Sequence, residues 1–539
     1  EKLYTRIKKS VKIFRWFLFI SIVSILATYS LMIFYTAEAA ERAKSFEGVI
    51  SFYELKTKSL EPAVYARGTD IYSKLQNEGG IIALQNLVST HANDLNELMK
   101  IDYEDKLKEC PASKIYLDSI VPVWENYYTP QLRFMNLIDA TSMFVQQARS
   151  LSNSTFGTTK YYNNLFFVVT NGAGPMFHKV DEALNGFIQC DVDFVGDLNS
   201  FMNTLLIVVT ILLSVCFCIL AGSSLEINRK LNSYWREMRK LSMKAYYELR
   251  QTAILRLSDI HGEIDLSIDE GQNIHAKKRK FSEVSLGLLK SYIARLLVFV
   301  GLSGIFYFLT YFVFYDQCKY YLENRPLYMQ YYKNLQSYLM ETHFWAAEAT
   351  FCSTPFGITD NIQNAFLFDY PGEEYLRVAS EVKDRLSLVH QKNIKDQIGE
   401  QTKTRLFETI QLEEIPDLKK GLYSAYLSIL ENYSNSVAIS GIEQLEHFVT
   451  LHEKNREIRN QTELTFEIAN SESDNLIEKE LEGMIVFTIA YGVSSMLLFF
   501  LVYLPFLRKE EKRIEVMKAV GYLIPMQDQL ERKKKQGRN

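Results

Sequence analysis

The residues that could do chemistry in this 539-residue chain are thinly spread. Eight histidines occur without clustering. His447 and His452 stand five apart, whereas two ligands stacked on one helical face need a spacing of four. Neither a His-Glu-x-x-His run nor paired Cys-x-x-Cys spacing is present, so no metal, cofactor or catalytic residue is predicted and the chain is not expected to be an enzyme. Asn171-Gly172-Ala173-Gly174-Pro175 is glycine-rich but lacks the lysine and the preceding strand of a phosphate-binding loop, and it reads as a turn. Asp259, His261, Glu263, Asp265 and Glu270 have the spacing of a calcium loop in outline. Ile264 stands where the sharp turn needs glycine, so the stretch reads as an acidic linker. Trp124 and Trp345 read as core anchors rather than ligand stackers.

Modification chemistry is better signalled. Glycosylation sequons begin at Asn153, Asn432 and Asn460. Cys110 and Cys190 fall in one long polar segment, Cys318 and Cys352 in another, while Cys216 and Cys218 sit inside an apolar run. One disulfide per polar segment suits an oxidising compartment; four buried thiols are the other reading. A Cys318–Cys352 bond is awkward if the residues between them form one straight helix.

The elements that position these residues begin with four apolar runs: 16–35, 201–223, 296–315 and 484–507. Each is about 20 residues long, enough at about 1.5 Å per residue to cross a hydrocarbon core of about 30 Å. Basic residues flank one side of each run (Lys8, Lys9 and Arg15; Arg229 and Lys230; Lys277-Lys278-Arg279-Lys280; Arg508, Lys509 and Lys512). Acidic residues precede the second and fourth runs (Asp191, Asp193 and Asp197; Glu472, Asp474 and Glu478). The positive-inside rule then predicts both termini (1–15 and 508–539) and the 224–290 linker in the cytoplasm, with 36–200 and 316–483 as external domains. All three sequons fall in the external segments. The rival reading, a cleaved signal peptide ending near Thr36-Ala37-Glu38-Ala39-Ala40, is disfavoured by the length of the first run.

Net charge is only −4, which argues against a nucleic-acid partner. Glycine (24) and proline (11) are scarce, which favours helices. Helical spacing marks 83–98, 132–151 and 375–388, and breaks are expected at Pro111, Pro122, 171–175, 355–357, 371–372 and Pro416. The expected fold is all-α: a four-pass membrane protein in two tandem units, each a span, an external helical bundle, a second span and cytoplasmic helices. A shift of 280 lays Arg15 on Arg295 and Phe34-Tyr35 on Phe314-Tyr315. A shift of 283 lays Phe201 on Met484 and Arg229-Lys230 on Lys512-Arg513, and puts Ser242 and Pro525 at equivalent helix breaks. No span carries Asp, Glu or Lys in its central part, which argues against an ion-coupled transporter.

The layout resembles tandem two-pass chemoreceptor-type sensors. In the basic helix broken at Ile524-Pro525 it also resembles the large multipass ciliate proteins similar to tiny macrocysts protein. The resemblance implies a protist signalling protein at the plasma membrane, a ciliary membrane or another endomembrane, with effector parts beyond this sequence. The chain, opening on Glu1, is itself expected to belong to a longer protein. The expected partners are the lipid bilayer, N-linked glycans and further chains in a homo- or hetero-oligomer. The leading expected function is a sensor or receptor; a structural subunit of a glycoprotein assembly and an oligomeric channel component are the alternatives.

Overall fold

The computed structural model describes residues 2–44, 47–74, 77–99, 119–239, 274–352, 371–390, 399–408, 410, 416–439, 444–512 and 514–515. Among them the regular structure is helix, with one two-stranded sheet. In chain order the elements are α1 (Lys2–Lys44), α2 (Glu47–Lys74), α3 (Glu78–Met99), β1 (Ile120–Glu125), β2 (Gln131–Asn136), α4 (Leu137–Ser152), α5 (Thr159–Ala173) and α6 (Pro175–Arg239). There follow α7 (Ile274–Leu309), a π-helical segment (Thr310–Tyr315), α8 (Asp316–Cys352), α9 (Pro371–His390), α10 (Glu400–Phe407), a 3-10 turn (Pro416–Lys420), α11 (Gly421–Ile439), α12 (Leu445–Leu497) and a second π segment (Leu498–Tyr503). They form two compact units. The span unit comprises Glu1–Ala37, Ser200–Gln317 and Glu480–Asn539; the helical unit comprises Glu38–Asn199 and Cys318–Lys479.

Four helical stretches are long and apolar enough to cross a membrane: Lys9–Glu41, Thr159–Lys230, Lys290–Phe351 and Leu445–Lys512. Each contains one of the apolar runs. In α1, Val11, Phe14, Leu18, Ile22, Ile25, Tyr29 and Met32 are buried at steps of three and four, while Trp16, Ile20, Val23 and Phe34 on the other faces are exposed. A helix apolar all round, with only one stripe covered by protein, is what a lipid-facing bundle requires.

The covered side of the span unit is not purely apolar. The fully buried rings of Tyr29, Tyr307 and Tyr491 meet with centroids 5.3 Å apart for the pairs Tyr29–Tyr307 and Tyr29–Tyr491. The hydroxyls of Ser303 and Tyr491 lie 2.9 Å apart, Tyr311 donates to Asn203 Oδ1 at 2.5 Å, and Ser21 donates to Cys216 Sγ at 3.1 Å. The π segments fall in the third and fourth spans, and the Tyr503 hydroxyl at the end of the second donates to the Arg295 carbonyl. Sequence spacing gave no sign of either segment.

The two polar segments, delimited by sequence as two domains, share one core in the helical unit. Leu60, Phe144 and Phe166 from the first belong to the same cluster as Leu339, Tyr433 and Phe466 from the second. Helices α2 and α8 are buried on nearly every face, over 55–70 and 331–350 respectively.

The sequence reading missed the hairpin. β1 and β2 pair antiparallel, with Val121 opposite Met135 and Val123 opposite Arg133. Residues 132–136, expected at the start of a helix, form β2, and α4 starts only at Leu137 behind an Asn136 N-cap. Pro122 lies inside β1 rather than at a break. Strands this short carry too few alternating positions to register in sequence. The break in 171–175 is real but narrow. α5 runs through Asn171, and α6 begins at Pro175, where a missing N–H costs nothing. Asn171 uses its place on α5 to accept from the Trp124 N–H (2.8 Å) and donate to the Trp124 carbonyl (2.9 Å), satisfying the backbone of β1.

One cysteine expectation is overturned. Cys318 is a thiol whose Sγ lies 3.8 Å from the carbonyl of Ile477, so it is not half of a disulfide. α8 runs unbroken from Asp316 to Cys352, and a helix of that length holds its ends about 50 Å apart. Cys190 is partly buried against the core and is disulfide-bonded. Cys110 and the side chain of Cys352 lie outside the described residues.

Candidate functional site

The site is built from polar residues of α2 and α8, whose central turns have no solvent face, and from the inward sides of the helices packed on them. Along α2, Lys56, Glu61, Arg67 and Asp70 are all buried; α8 contributes Asn334, Glu341, His343 and Glu348, and α12 contributes Asn455 and Arg459. A charge without water must find a partner or lose its proton balance, so the pairing decides what these groups can do.

The centre is a chain of hydrogen bonds across four helices. Tyr433 Oη on α11 lies 2.9 Å from His343 Nδ1 on α8. His343 Nε2 lies 3.1 Å from His452 Nδ1 on α12, and His452 Nε2 lies 3.0 Å from Tyr65 Oη on α2. The chain is anchored at one end by Asn455, whose amide donates to Tyr433 Oη (3.0 Å) and to the Leu339 carbonyl (3.0 Å) while its oxygen accepts from Arg459 Nε (3.1 Å). At the other end His91 on α3 stacks on Tyr65, with centroids 5.0 Å apart and planes within 8°. Glu61 ties the two sides together. Arg459 donates to its Oε1 at 2.8 Å, and His91 Nδ1 lies 2.8 Å from its Oε2.

Electrostatics follow from this packing. Burial pushes the His343 ring well below the ordinary imidazole value, and His452 and Arg459 push it the same way. His452 is lowered to about 4, first by burial and then by Arg459 and Arg456. Burial would raise Glu61, but His91, Arg459 and Lys58 more than offset it and hold the carboxyl well below the usual range. Both imidazoles are therefore neutral at pH 7 and the carboxylate is ionised.

Two further buried clusters flank this one. Arg67 pairs with Glu348 through both its Nε and a second nitrogen (3.1 Å to Oε2), and with Asp70 at 2.8 Å. Lys56 sits 2.5 Å from Asp181 Oδ1 and 3.5 Å from Asn334 Oδ1, against the rings of Tyr338 (4.4 Å) and Phe177 (5.0 Å). Burial lowers Lys56, with Asp181 opposing. Glu341, which accepts from Arg377 at 3.2 Å, is raised by burial to about 7 against the pull of Lys56 and Arg377. The sequence separations of the α2–α8 contacts are 278 for Lys56–Asn334 and 281 for Arg67–Glu348.

Sequence reasoning considered His452 only beside His447. His447 is exposed, and the true neighbour of His452 is His343, 109 residues earlier. One signal was available: α2 and α8 mix charges with apolar residues without separating two faces, the pattern of a helix surrounded by protein. Of the predicted modification sites, Asn153 is exposed just beyond the end of α4, as a surface acceptor should be. Asn432 and Asn460 lie inside α11 and α12. Trp345 is buried in the core and Trp124 packs on it from β1. Among the described residues no group of three or more His, Cys, Asp or Glu is placed to hold a metal ion. The acidic 259–270 stretch, Ser242, Pro525 and the side chains of 277–280 lie outside the described residues. No known protein-family model matches the chain, and no curated protein matches it.

Proposed function

We propose that this membrane protein is a sensor whose helical unit receives a stimulus on the non-cytoplasmic side and passes a small helix displacement to the spans. The observation that carries the reading is the buried network joining α2, α3, α8, α11 and α12. Apolar packing would hold such a bundle as well or better. A discrete polar arrangement instead supplies an element with two alternative states, which a stimulus can bias. α6, α8 and α12 each lie in or lead into a stretch that is apolar enough to span. The charged flanks support both termini in the cytoplasm. The layout shared with two-pass sensors, and with the ciliate proteins similar to tiny macrocysts protein, agrees with this role.

The same reading includes an internal duplication. In a pair of repeats related by a two-fold axis, equivalent residues meet across the axis. The separations of 278 and 281 between α2 and α8 bracket the 280 register read from the first and third spans.

The test uses the full chain in lipid nanodiscs with Cys218→Ala and spin labels at Ile20→Cys and Ile489→Cys, positions 54% and 60% exposed on two spans. His452→Lys places a fixed charge in the network. A sensor moves the label separation by about 1–2 Å, the usual size of a helix shift. An unchanged separation, with a lowered melting point, rejects the sensor. One observation favours a second reading, a structural subunit: the hairpin exposes Ile120 (62%), Tyr128 (58%) and Phe134 (65%). It predicts the unchanged separation, together with loss of association on Phe134→Ser.

A further inference from the structure

The directions of the hydrogen bonds in the central chain are fixed by its surroundings. Arg459 and the Leu339 carbonyl orient the Asn455 amide, so its nitrogen, not its oxygen, meets Tyr433 Oη. Tyr433 Oη thus already accepts a bond, and in this buried site its own proton has one acceptor among the described residues, His343 Nδ1. His343 then carries its proton on Nε2 and donates to His452 Nδ1, and His452 carries its proton on Nε2 and donates to Tyr65 Oη. Every donor and acceptor of the two neutral rings is used.

We infer that this Tyr433–His343–His452–Tyr65 chain is a proton-operated latch, which fastens α11 and α8 to α12 and α2 while both rings are neutral and releases them when a proton from bulk water is added to the pair. A proton arriving on His452 Nδ1 faces the Nε2–H of His343 across 3.1 Å, and two N–H groups cannot share that gap. A proton arriving on His343 Nδ1 turns the Tyr433 hydroxyl away from its acceptor. Among the described residues neither cation finds an uncommitted counter-charge. The groups facing the pair are Glu61 and Tyr65 from α2, His91 from α3, Tyr433 from α11, and Arg456 and Arg459 from α12. The only carboxylate among them, Glu61, is already engaged by Arg459 and His91. The two arginines repel the added charge. The lowered values of both rings agree with this geometry.

As the stimulus of the proposed sensor the latch rests on that reading, but as a property of the helical unit it does not. The test is amide hydrogen exchange, corrected for intrinsic rates, on the full chain in nanodiscs between pH 7.5 and about 4. Protection over 429–436 of α11 and 448–459 of α12 is expected to fall at least tenfold, and His452→Gln, which keeps a neutral polar side chain but leaves His343 in place, to make that fall clearly smaller. Identical pH profiles for wild type and His452→Gln overturn the latch, as does wild-type protection that survives to pH 4. Should His452→Gln not fold, ring-15N histidine spectra of the wild type decide. Two rings that stay neutral below pH 5 support the latch, and titration of all rings near the ordinary value of about 6.5 overturns it. The label pair Ile20→Cys and Ile489→Cys, read over the same pH range, separates the two ideas. Exchange that responds while the labels stay still keeps the latch and removes the sensor.

Discussion

Both units bury polar atoms, but of different kinds. The span unit joins its helices with uncharged hydroxyls, as in Ser303–Tyr491, Tyr311–Asn203 and Ser21–Cys216. The helical unit has hydroxyl contacts too, such as Tyr426–Thr462, and adds full charges and imidazoles: Arg67–Glu348, Arg459–Glu61 and His343–His452. The solvent of the unfolded reference explains the difference. A charge at the centre of a bilayer costs about 2.5–3.5 kcal/mol even with local relaxation, so hydroxyls that can bond back to their own helix are the tolerable polar groups there. In a unit that folds from water, an ion pair is supportable when every remaining donor is bonded. The hydroxyl contacts specify which spans meet; the ionisable contacts can also be switched.

Orphaning a charge is expected to have the largest effect. Arg459→Leu leaves Glu61 buried with its main cation gone and frees Asn455, and is expected to cost about 3–5 kcal/mol in denaturant unfolding of the helical unit. The double change Arg67→Leu with Glu348→Leu is expected to cost less than Arg67→Leu alone, because it removes one of the two buried carboxylates, Glu348 and Asp70, that share the arginine.

Acid gives the next effect. The folded state holds His452 at about 4, below its unfolded value of about 6.5. Between those values the unfolded chain binds a proton that the folded chain refuses. Stability therefore falls as pH drops through that window, by about 3 kcal/mol, and changes no further below it. Glu341 acts oppositely. Its folded value of about 7 lies above its unfolded value of about 4.3, so acidification through that interval stabilises the fold. Between pH 7 and 4.5 the melting point of the wild type is accordingly expected to fall relative to that of His452→Gln, in which His343 still contributes a fall and Glu341 a rise.

In the span unit the effect is smaller. Tyr491→Phe removes the Ser303 contact and is expected to cost about 0.6 kcal/mol, measured by unfolding in mixed micelles. A loss above 3 kcal/mol would show that the hydroxyls carry as much as the charges and would erase the contrast. The smallest effect is at the surface. Asn153→Gln is expected to leave the melting point unchanged and to remove a glycosidase-sensitive gel shift from protein expressed in a eukaryotic host.

Much of the fold was legible because the signals are local. The apolar runs, the helical segments around 83–98 and 375–388, and the break before Pro175 each depend on neighbouring residues. The hairpin escaped because six-residue strands hold too few alternating positions, and Pro122 looked like a break. The network escaped for another reason. His343, His452, Tyr65 and Tyr433 lie on four helices, and no spacing rule within one helix relates them. The fold turns His447 to solvent and His452 inward, a difference that their spacing does not carry.

Local sequence is enough to show that four helices can cross a membrane, since span length and hydropathy are sums over consecutive residues. It also determined, through glycine and proline scarcity, that helix would dominate. Long-range packing sets the rest: the two polar segments share one core, Cys318 is a thiol at the start of an unbroken helix, and His343 meets His452. Those outcomes depend on which helix faces reach one another in space. Whether a buried imidazole is inert or poised depends on the neighbours that meet it there: Arg459, Asn455 and Tyr433.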